Sequence, residues 1–577
     1  MNLIFEGLYK SYHDKMVLSN ISGGISNGEK IGLIGSNGIG KTILSKILAG
    51  IDITDKGHIE YTPRNALIIY LQQSPDFQPG ASVYEELYQA VSKNYGSNES
   101  VDTIVKKSLN QMEISESFWE KQATSLSGGE KTKLMLCKVL TRDFDLLILD
   151  EPTNHLDPDS AASLEKTIKR IKQSVLIISH NRYLLDQVAD RIWELTAVGL
   201  KSYKGNYSAY KVQKENEDKH FAKEYEKQQL RIEQLNQVIR KRRNWLASAQ
   251  KSSDYKNAAR TQASALKAKE KELARLLNNK IEKPLQIPLP AFDFINKSHG
   301  QSNKLSPVII RGNQISKAYG DQVVLEDLSF AIGRGDKIAL LGDNGAGKTT
   351  LLKIICGIDQ CFQGELSLDP ALKIGYFSQG FEELNADETI LDNVGTANKS
   401  IEDTRTLLAC LLFRKNDVFK KIKQLSMGEK SRVAFARLIL SGANFLVLDE
   451  PTNYLDIYAK EKIEAVLELY AGGILFVSHD IYFVQRIAAK IMLIEHGSLK
   501  LYNGNYDYYL SKRKNEYSGN TREIDLKNIR TRILKLECDL AFIGGELNGK
   551  LSDSDKKMLN EDYLRKAHEL NELRQLL

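Results

Sequence analysis

An α/β fold built twice along one chain, with a long helical hairpin between the copies, is what this sequence predicts. Three observations carry that expectation. Short apolar strands run straight into two glycine-rich turns, at 35–42 and 342–349. After each turn come, in the same order, an apolar run ending in two carboxylates and another ending in Ser-His, a repeat with a period of about 300 residues. Between the repeats, apolar residues take up helical spacing inside a highly charged stretch.

Size and composition set the limits. The 577 residues leave room for several domains, each with a core of its own. Lys and Arg number 80 against 74 Asp and Glu, a net charge of +6. A balance so mild does not announce nucleic-acid binding; only the distribution of charge could. Five cysteines (Cys137, Cys356, Cys361, Cys410, Cys538) show no CxxC or zinc spacing and read as reduced thiols of a cytosolic protein. Residues 1–6 lack the basic and apolar regions of a signal peptide. No apolar run approaches the roughly 20 residues needed to span a bilayer, so the expectation is a soluble chain.

The glycine-rich turns carry the first chemistry. Gly35-Ser36-Asn37-Gly38-Ile39-Gly40-Lys41-Thr42 and Gly342-Asp343-Asn344-Gly345-Ala346-Gly347-Lys348-Thr349 both fit GxxxxGK[ST]. Each follows an apolar strand (31–34 and 338–341) and opens an apolar-periodic helix, the context a phosphate loop needs. Glycines let backbone N–H groups turn inward around phosphates at a helix N-terminus, where the dipole favours anions. Lys41 and Lys348 are placed to reach the β- and γ-phosphates of ATP, Thr42 and Thr349 to ligate Mg²⁺. Thr350 follows in the second repeat, where the first has Ile43.

The later motifs match. The strand-like runs 147–149 and 446–448 end in Asp150-Glu151 and Asp449-Glu450. Asp150 and Asp449 sit where they can hold Mg²⁺ through water, and Glu151 and Glu450 where they can polarise an attacking water. Ile177-Ile178-Ser179-His180 and Phe476-Val477-Ser478-His479 place a histidine at each strand end, able to touch a γ-phosphate. A single strand-end histidine is usually structural. Its recurrence at equal distance after both carboxylate pairs favours catalysis.

Between phosphate loop and carboxylates lie Leu126-Ser127-Gly128-Gly129-Glu130 and Leu425-Ser426-Met427-Gly428-Glu429. With these residues the chain resembles the ATP-binding cassette ATPases, over 1–210 and 307–514. The resemblance implies two ATPs sandwiched head to tail, the signature segment of one cassette capping the γ-phosphate held by the other. Serine hydroxyls and glycine N–H groups at a helix start suit that anion. It also implies that Gln73 and Gln379 sense Mg²⁺ and water, that Tyr12 and Tyr319 stack on adenine, and that Asp157 and Asp456 lie in the loop linking the sites. Two departures matter: Ile43 forgoes a phosphate hydrogen bond, of order 1 kcal/mol, and Met427 stands where the first signature has Gly128. Both fall in the same composite site, so unequal sites are expected.

The stretch between the repeats is the third element. Phe221, Tyr225, Ile232, Leu235 and Ile239 form a helical stripe, repeated on the return by Leu266, Leu273 and Leu277, and Pro284, Pro288 and Pro290 end the helical reading. The arm from 211 to 243 would reach roughly 50 Å at ~1.5 Å per residue. Its tip gathers Lys241, Arg242, Arg243, Lys251, Lys256 and Arg260 against Asp254, with Trp245 and Tyr255 interleaved. Cations suit phosphates and aromatic faces suit exposed bases; the plain alternative is a solvated tip with Trp245 in the seam.

Two cassettes in one chain, this hairpin, the repeated Glu-Pro-Thr-Asn from Glu151 and Glu450, and the twin closing motifs at 205–210 and 504–509 resemble the ABC-F family. That resemblance implies ATPase activity with Mg²⁺ and binding to the 70S ribosome (23S rRNA and exit-site proteins) near the tRNA exit site. It implies a hairpin reaching toward P-site tRNA and the peptidyl transferase centre, with no membrane permease or obligate protein partner. From Gln73 to Leu126 is 53 positions and from Gln379 to Leu425 is 46, leaving little room for the extra arm of several housekeeping members. The reading therefore leans to antibiotic-resistance ribosome protection, with a housekeeping translation factor as the alternative and a DNA-associated ATPase or transporter subunit more remote. The expected organisation is a first cassette (1–210), a hairpin linker (211–306), a second cassette (307–514) and a C-terminal extension (515–577). In that extension Leu526, Ile529, Ile533, Leu536, Leu540 and Ile543 form a heptad seam, and Tyr563, Ala567, Leu570 and Leu577 line a second helix. The resulting helical hairpin could touch ribosomal RNA, pack on the second cassette, or bind branched DNA.

Overall fold

The computed structural model describes residues 1–12, 15–72, 77–95, 99–112, 114–126, 128–153, 158–249, 256–279, 281, 305–378, 380, 384–395, 400–495 and 497–517. Of the C-terminal stretch it describes 536, 539–540, 543, 563–568 and 570. Contacts divide the chain into two compact units, Met1–Ala291 with Leu455–Lys460, and Phe292–Tyr454 with Glu461–Leu577.

The first repeat holds strands β1 (Asn2–Tyr12), β2 (Lys15–Ile25), β3 (Lys30–Ile34), β4 (Lys56–Thr62), β5 (Ile68–Leu71), β6 (Leu146–Asp150), β7 (Ser174–Ile178), β8 (Arg191–Thr196) and β9 (Gly199–Lys204). Its helices are α1 (Lys41–Leu48), α2 (Val83–Tyr95), α3 (Glu99–Gln111), α4 (Gly128–Leu140), α5 (Pro158–Arg170) and α6 (Arg182–Val188). A six-stranded sheet runs β5-β6-β7-β3-β8-β9, parallel except for β9. Every residue of β6 and β7 is buried, which is why both read as unbroken apolar runs. A three-stranded antiparallel sheet, β2-β1-β4, lays Leu3, Phe5, Leu18 and Ile21 over α1 and the large sheet in one core.

The second repeat copies this plan. Strands β10 (Val308–Tyr319), β11 (Gln322–Gly333), β12 (Lys337–Gly342), β13 (Gln363–Leu368), β14 (Ile374–Phe377), β15 (Phe445–Asp449), β16 (Gly473–Val477), β17 (Lys490–Glu495) and β18 (Ser498–Tyr502) form sheets β14-β15-β16-β12-β17-β18 and β11-β10-β13. The strand orders match position for position, so the repeat in motifs is a repeat in topology.

From β9 the chain enters one helix of 43 residues, α7 (Tyr207–Ala249), returning as α8 (Lys256–Asn278). The helix runs past the expected turn, since nothing in Arg242–Ala249 breaks it; 43 residues span about 65 Å. Pairs Arg231–Glu272 and Arg243–Glu270, both 2.5 Å, cross the antiparallel arms. Leu235 and Ile239 are buried as the stripe demands, but Phe221 is 51% exposed and Leu277 50%. Phe221 instead lies under Lys201 at 5.9 Å, on the flank of the hairpin root. Trp245 is 41% exposed rather than sunk in the seam.

Of the expected C-terminal hairpin, Leu526, Ile529, Ile533 and Leu577 lie outside the described residues, as do Pro284, Pro288 and Pro290. Leu536, Leu540 and Leu570 share a small apolar cluster. Asp539 accepts from Arg311 on β10 at 2.9 Å and pairs with Lys566 at 3.1 Å. Within this unit, the described part of the extension therefore packs on the small sheet of the second repeat.

Candidate functional site: two nucleotide sites

In each repeat the phosphate loop joins the central strand to the first helix, here β3 to α1 and β12 to α9 (Lys348–Ile355). A Cβ built on Gly35 would stand 2.7 Å from the carbonyl oxygen of Leu195, and one on Gly342 2.5 Å from that of Ile494. Backbone on backbone leaves nothing to move aside, so only glycine fits. Gly40 and Gly347, at φ 107° and 94°, open the two helices from a left-handed turn. The lysines are drawn back over the loop. Lys41 Nζ donates to the carbonyls of Gly35 (2.8 Å) and Ser36 (3.2 Å), Lys348 Nζ to those of Gly342 and Asp343 (both 2.8 Å). Burial lowers the pKa of both ammonium groups. Asn37, Gly38, Ile39, Asn344, Gly345 and Ala346 complete the two turns.

The carboxylates stand at the ends of β6 and β15. Glu151 and Glu450 adopt φ 49° and 52°, a left-handed backbone that is costly for a residue with a side chain. Hydrogen bonds from their own N–H groups to Ile178 (2.8 Å) and Val477 (3.0 Å) hold the turn. Strain of this kind, repeated in both copies, marks a site built for function rather than stability. Each glutamate accepts the next strand's histidine N–H, His180 at 3.1 Å and His479 at 3.3 Å. The ring Nε2 atoms lie 3.3 and 3.4 Å from the other carboxylate oxygen. Burial pushes both glutamates up to about 7 and holds His180 well below its usual value, so that ring is neutral at pH 7. The expected base and histidine therefore meet in both repeats.

Asp150 accepts the Tyr70 hydroxyl at 2.7 Å; Asp449 is hydrogen-bonded by Thr349, and burial raises its pKa. The Tyr70 contact was not foreseen, because only the parallel pairing of β5 with β6 brings it there. Thr349 beside Asp449 supplies a hydroxyl and a carboxylate, a set that suits Mg²⁺ shared with phosphates. The buried Oε1 atoms of Glu151 and Glu450 lack a hydrogen-bond partner among the described residues, which fits a water donating to each. Among the described residues no group of three or more His, Cys, Asp or Glu could hold a metal alone.

Tyr12 and Tyr319 are 41% and 52% exposed, as a stacking surface requires. Each is braced in a way the sequence reading missed. The Tyr12 hydroxyl donates to Asp52, with Lys10 at 5.1 Å over the ring; that of Tyr319 donates to Asp359 at 3.1 Å, with Lys317 at 4.9 Å. The shared offset of 40 residues between Tyr and Asp was the available signal.

The signatures begin helices α4 and α10 (Met427–Leu440). Ser426 caps the second, its Oγ accepting from the Glu429 N–H at 3.3 Å, while Glu429 accepts from the Ser426 N–H at 2.9 Å. Glu429 thus shapes the helix start. Met427 is 45% exposed there. Gly128 and Gly129 open α4, with Glu130 in its first turn. Ile43 packs against the first core, so the missing hydroxyl is replaced by apolar contact. Gln73, Gln379, Ser127, Asp157, Lys251 and Tyr255 lie outside the described residues, and only the backbone of Lys256 is described, as the first residue of α8. At the hairpin end Arg243 is paired with Glu270, while Arg242 is partly exposed.

Twin phosphate loops, carboxylate–histidine pairs and signature helices on one doubled topology define a tandem P-loop ATPase. The model of the ABC transporter family matches residues 18–154 and 325–453, and a second model described in the same words matches 193–294. The chain belongs to the ABC-F family of ATP-hydrolysing cassette proteins. It is 34% identical over 548 residues to the putative ATP-binding protein YdiF of Bacillus subtilis (88% of this chain, 82% of that one). It is 30% identical over 494 residues to the ribosome protection protein VmlR of the same organism (84% and 85%). The energy-dependent translational throttle protein EttA of Escherichia coli is also 30% identical, over 539 residues (86% and 93%). Among solved structures, an RNase-L inhibitor shares the fold at a TM-score of 0.57 and 19% identity, covering 87% of this chain and 90% of its own. No described helix is long and apolar enough to cross a membrane. The four described cysteines are free thiols.

Proposed function

We propose that this protein is a cytoplasmic ATPase that binds the 70S ribosome at the tRNA exit site and protects it from antibiotics. In this reading the hairpin extends toward P-site tRNA and the peptidyl transferase centre. The observation that carries it is the hairpin: a 43-residue helix rooted directly on a nucleotide-binding repeat and ending among Lys241, Arg242, Arg243 and the exposed Trp245. An arm of that length is far more than the fold needs to join two domains. Its exposed pair Arg243–Glu270 is worth ~0–1 kcal/mol, so a phosphate can claim the guanidinium. Relatives named for ribosome protection and translational control support a ribosomal target.

In the catalytic step Glu151 and Glu450 take a proton from the attacking water, while His180 and His479 face the γ-phosphate and the lysines neutralise its charge. Mg²⁺, held by Thr42 and Asp150 or by Thr349 and Asp449, would supply charge neutralisation of the transferred phosphoryl group. ATP stabilises the state that aims the hairpin only through its differential affinity for that state; hydrolysis then lets the protein leave. A Glu151→Gln/Glu450→Gln double variant should co-sediment with ribosomes in ATP and release poorly. Failure to co-sediment would remove the ribosomal reading. The second reading, a housekeeping translation factor, is favoured by the equal identity to EttA. Expression in a drug-sensitive bacterium separates the two: protection predicts raised tolerance to lincosamides, streptogramin A, pleuromutilins or phenicols, whereas a translation factor leaves tolerance unchanged.

A further inference from the structure

Glu194 on β8 is 2% exposed, and donors close around it. The hydroxyls of Tyr203 and Tyr210 lie at 3.2 Å, Lys214 Nζ at 2.9 Å, and the hydroxyl of Tyr458, in the same compact unit, at 2.6 Å. Tyr210 and Lys214 stand in the first two turns of α7, the outgoing arm of the hairpin. Tyr203 is shared with Glu217 of α7 at 3.0 Å, and Lys201 reaches Glu217 at 3.1 Å. The start of α7 is fixed as well, by Asp186 accepting from the Ser208 N–H at 2.7 Å.

The fold alone does not demand this carboxylate. Leu195 and Ile494 are matching positions, since their carbonyl oxygens face Gly35 and Gly342 alike. Glu194 therefore corresponds to Leu493, which is apolar and 4% exposed. The neighbouring aromatic pairs are the same in both repeats: Tyr203–Tyr210 at 5.0 Å and 79°, Tyr502–Tyr509 at 5.1 Å and 80°. The second repeat keeps its acid two places further on, Glu495, partly exposed beside Arg513 at 3.7 Å. Among the described residues, only the repeat that bears the long hairpin sinks a charge under the helix root. A buried charge adds little net stability over a well-packed leucine, while its directional bonds restrict how the helix can sit.

Its position along β8 gives those bonds a second end. Glu194 pairs in register with Ile34 on β3, one residue before the phosphate loop, and the next residue, Leu195, abuts Gly35. A shift of the loop is thus one residue away from a group bonded to α7. At about 65 Å of helix, a rotation of about 5° at the root moves the far end by about 6 Å.

We propose that Glu194 is a positioning residue, tying the angle of the hairpin to the nucleotide state of the first cassette. This rests on the reading that nucleotide aims the hairpin. The test uses the full chain with spin-labelled residues genetically encoded at 166 on α5 and 227 on α7, leaving the native cysteines in place. The distance between them is measured without nucleotide and with a non-hydrolysable ATP analogue and Mg²⁺. The unaltered chain should show a nucleotide-dependent shift. Glu194→Gln and Lys214→Met should lose at least half of it and broaden the distribution, and Lys214→Arg should restore it. Loss of a buried charge partner should lower the melting temperature, but the shift should return in Lys214→Arg and the KM for ATP should stay near that of the parent throughout, a split that a merely structural role does not produce. Should Glu194→Gln not fold, Lys214→Met and Tyr210→Phe decide, since they leave β8 untouched. A full shift in those variants overturns the role of Glu194. No shift in the unaltered chain overturns the lever reading itself, and Glu194 with it.

Discussion

The shared pKa of the two buried glutamates sets a measurable pH dependence. Burial pushes Glu151 and Glu450 up to about 7. A base with that value is about one-tenth ionised at pH 6 and nine-tenths at pH 8, so kcat/KM for ATP should rise about tenfold between them. A carboxylate at its ordinary value would be ionised throughout and give a flat profile. Phosphate release at low ATP, with excess Mg²⁺ and constant ionic strength from pH 5.5 to 8.5, reads the limb directly. The neutral His180 cannot supply it, because burial keeps that ring well below its usual value. The Glu151→Gln/Glu450→Gln variant should lose at least 100-fold in turnover together with the limb. A flat profile in the parent would refute the reasoning. The same shift has a consequence for stability. The folded-state value is raised, so the contribution is fully present below the ordinary carboxylate range and is lost as pH rises toward 7. The nucleotide-free protein should melt at a higher temperature at pH 5.5 than at pH 7.5, as far as these two groups decide it.

Three further outcomes test separate parts of the fold. Gly342→Ala drives a Cβ to within 2.5 Å of the Ile494 carbonyl oxygen, which should cost about 1–3 kcal/mol and abolish nucleotide binding at the second loop, seen by thermal melting with and without ATP. Leu235→Ala removes a side chain that is 2% exposed from the hairpin seam; hydrogen exchange in α7 and α8 should rise by the equivalent of about 2–3 kcal/mol while both cassettes stay protected. Trp245→Ala, at a position 41% exposed, should leave melting and basal ATPase unchanged and weaken ribosome co-sedimentation, more so as salt is raised.

The chemistry was legible in sequence because it is local. A phosphate loop needs its strand, glycines, lysine and threonine within a dozen residues, and doubling made each motif a control for the other. What stayed hidden is set by tertiary pairing. Tyr70 meets Asp150 only through the β5–β6 register, Asp52 braces Tyr12 from the loop after α1, and the left-handed turn at Glu151 depends on the carbonyl of Ile178. The hairpin stripe was right at Leu235 and Ile239 and wrong at Phe221 and Leu277. Near its root α7 also packs on β9, so a residue on the stripe can face the flank instead of the returning helix.

The two repeats show what a fold enforces and what it leaves free. Strand order, the φ of the two glutamates and the close approach of a backbone carbonyl to Gly35 and Gly342 are the same in both. Ile43 against Thr350 and Glu194 against Leu493 differ, because at those places the core asks only for volume and the rest is open to use. Ile43 satisfies it with apolar contact. Glu194 satisfies it with a charge that four donors must meet, three of them on β9 and α7. Divergence at such positions is where a duplicated ATPase can become asymmetric without losing its fold. Ile43 lies on α1 just after the first phosphate loop, and Glu194 lies on β8 in register with Ile34 of β3 just before it, so the two flank the path from that loop to the base of the hairpin.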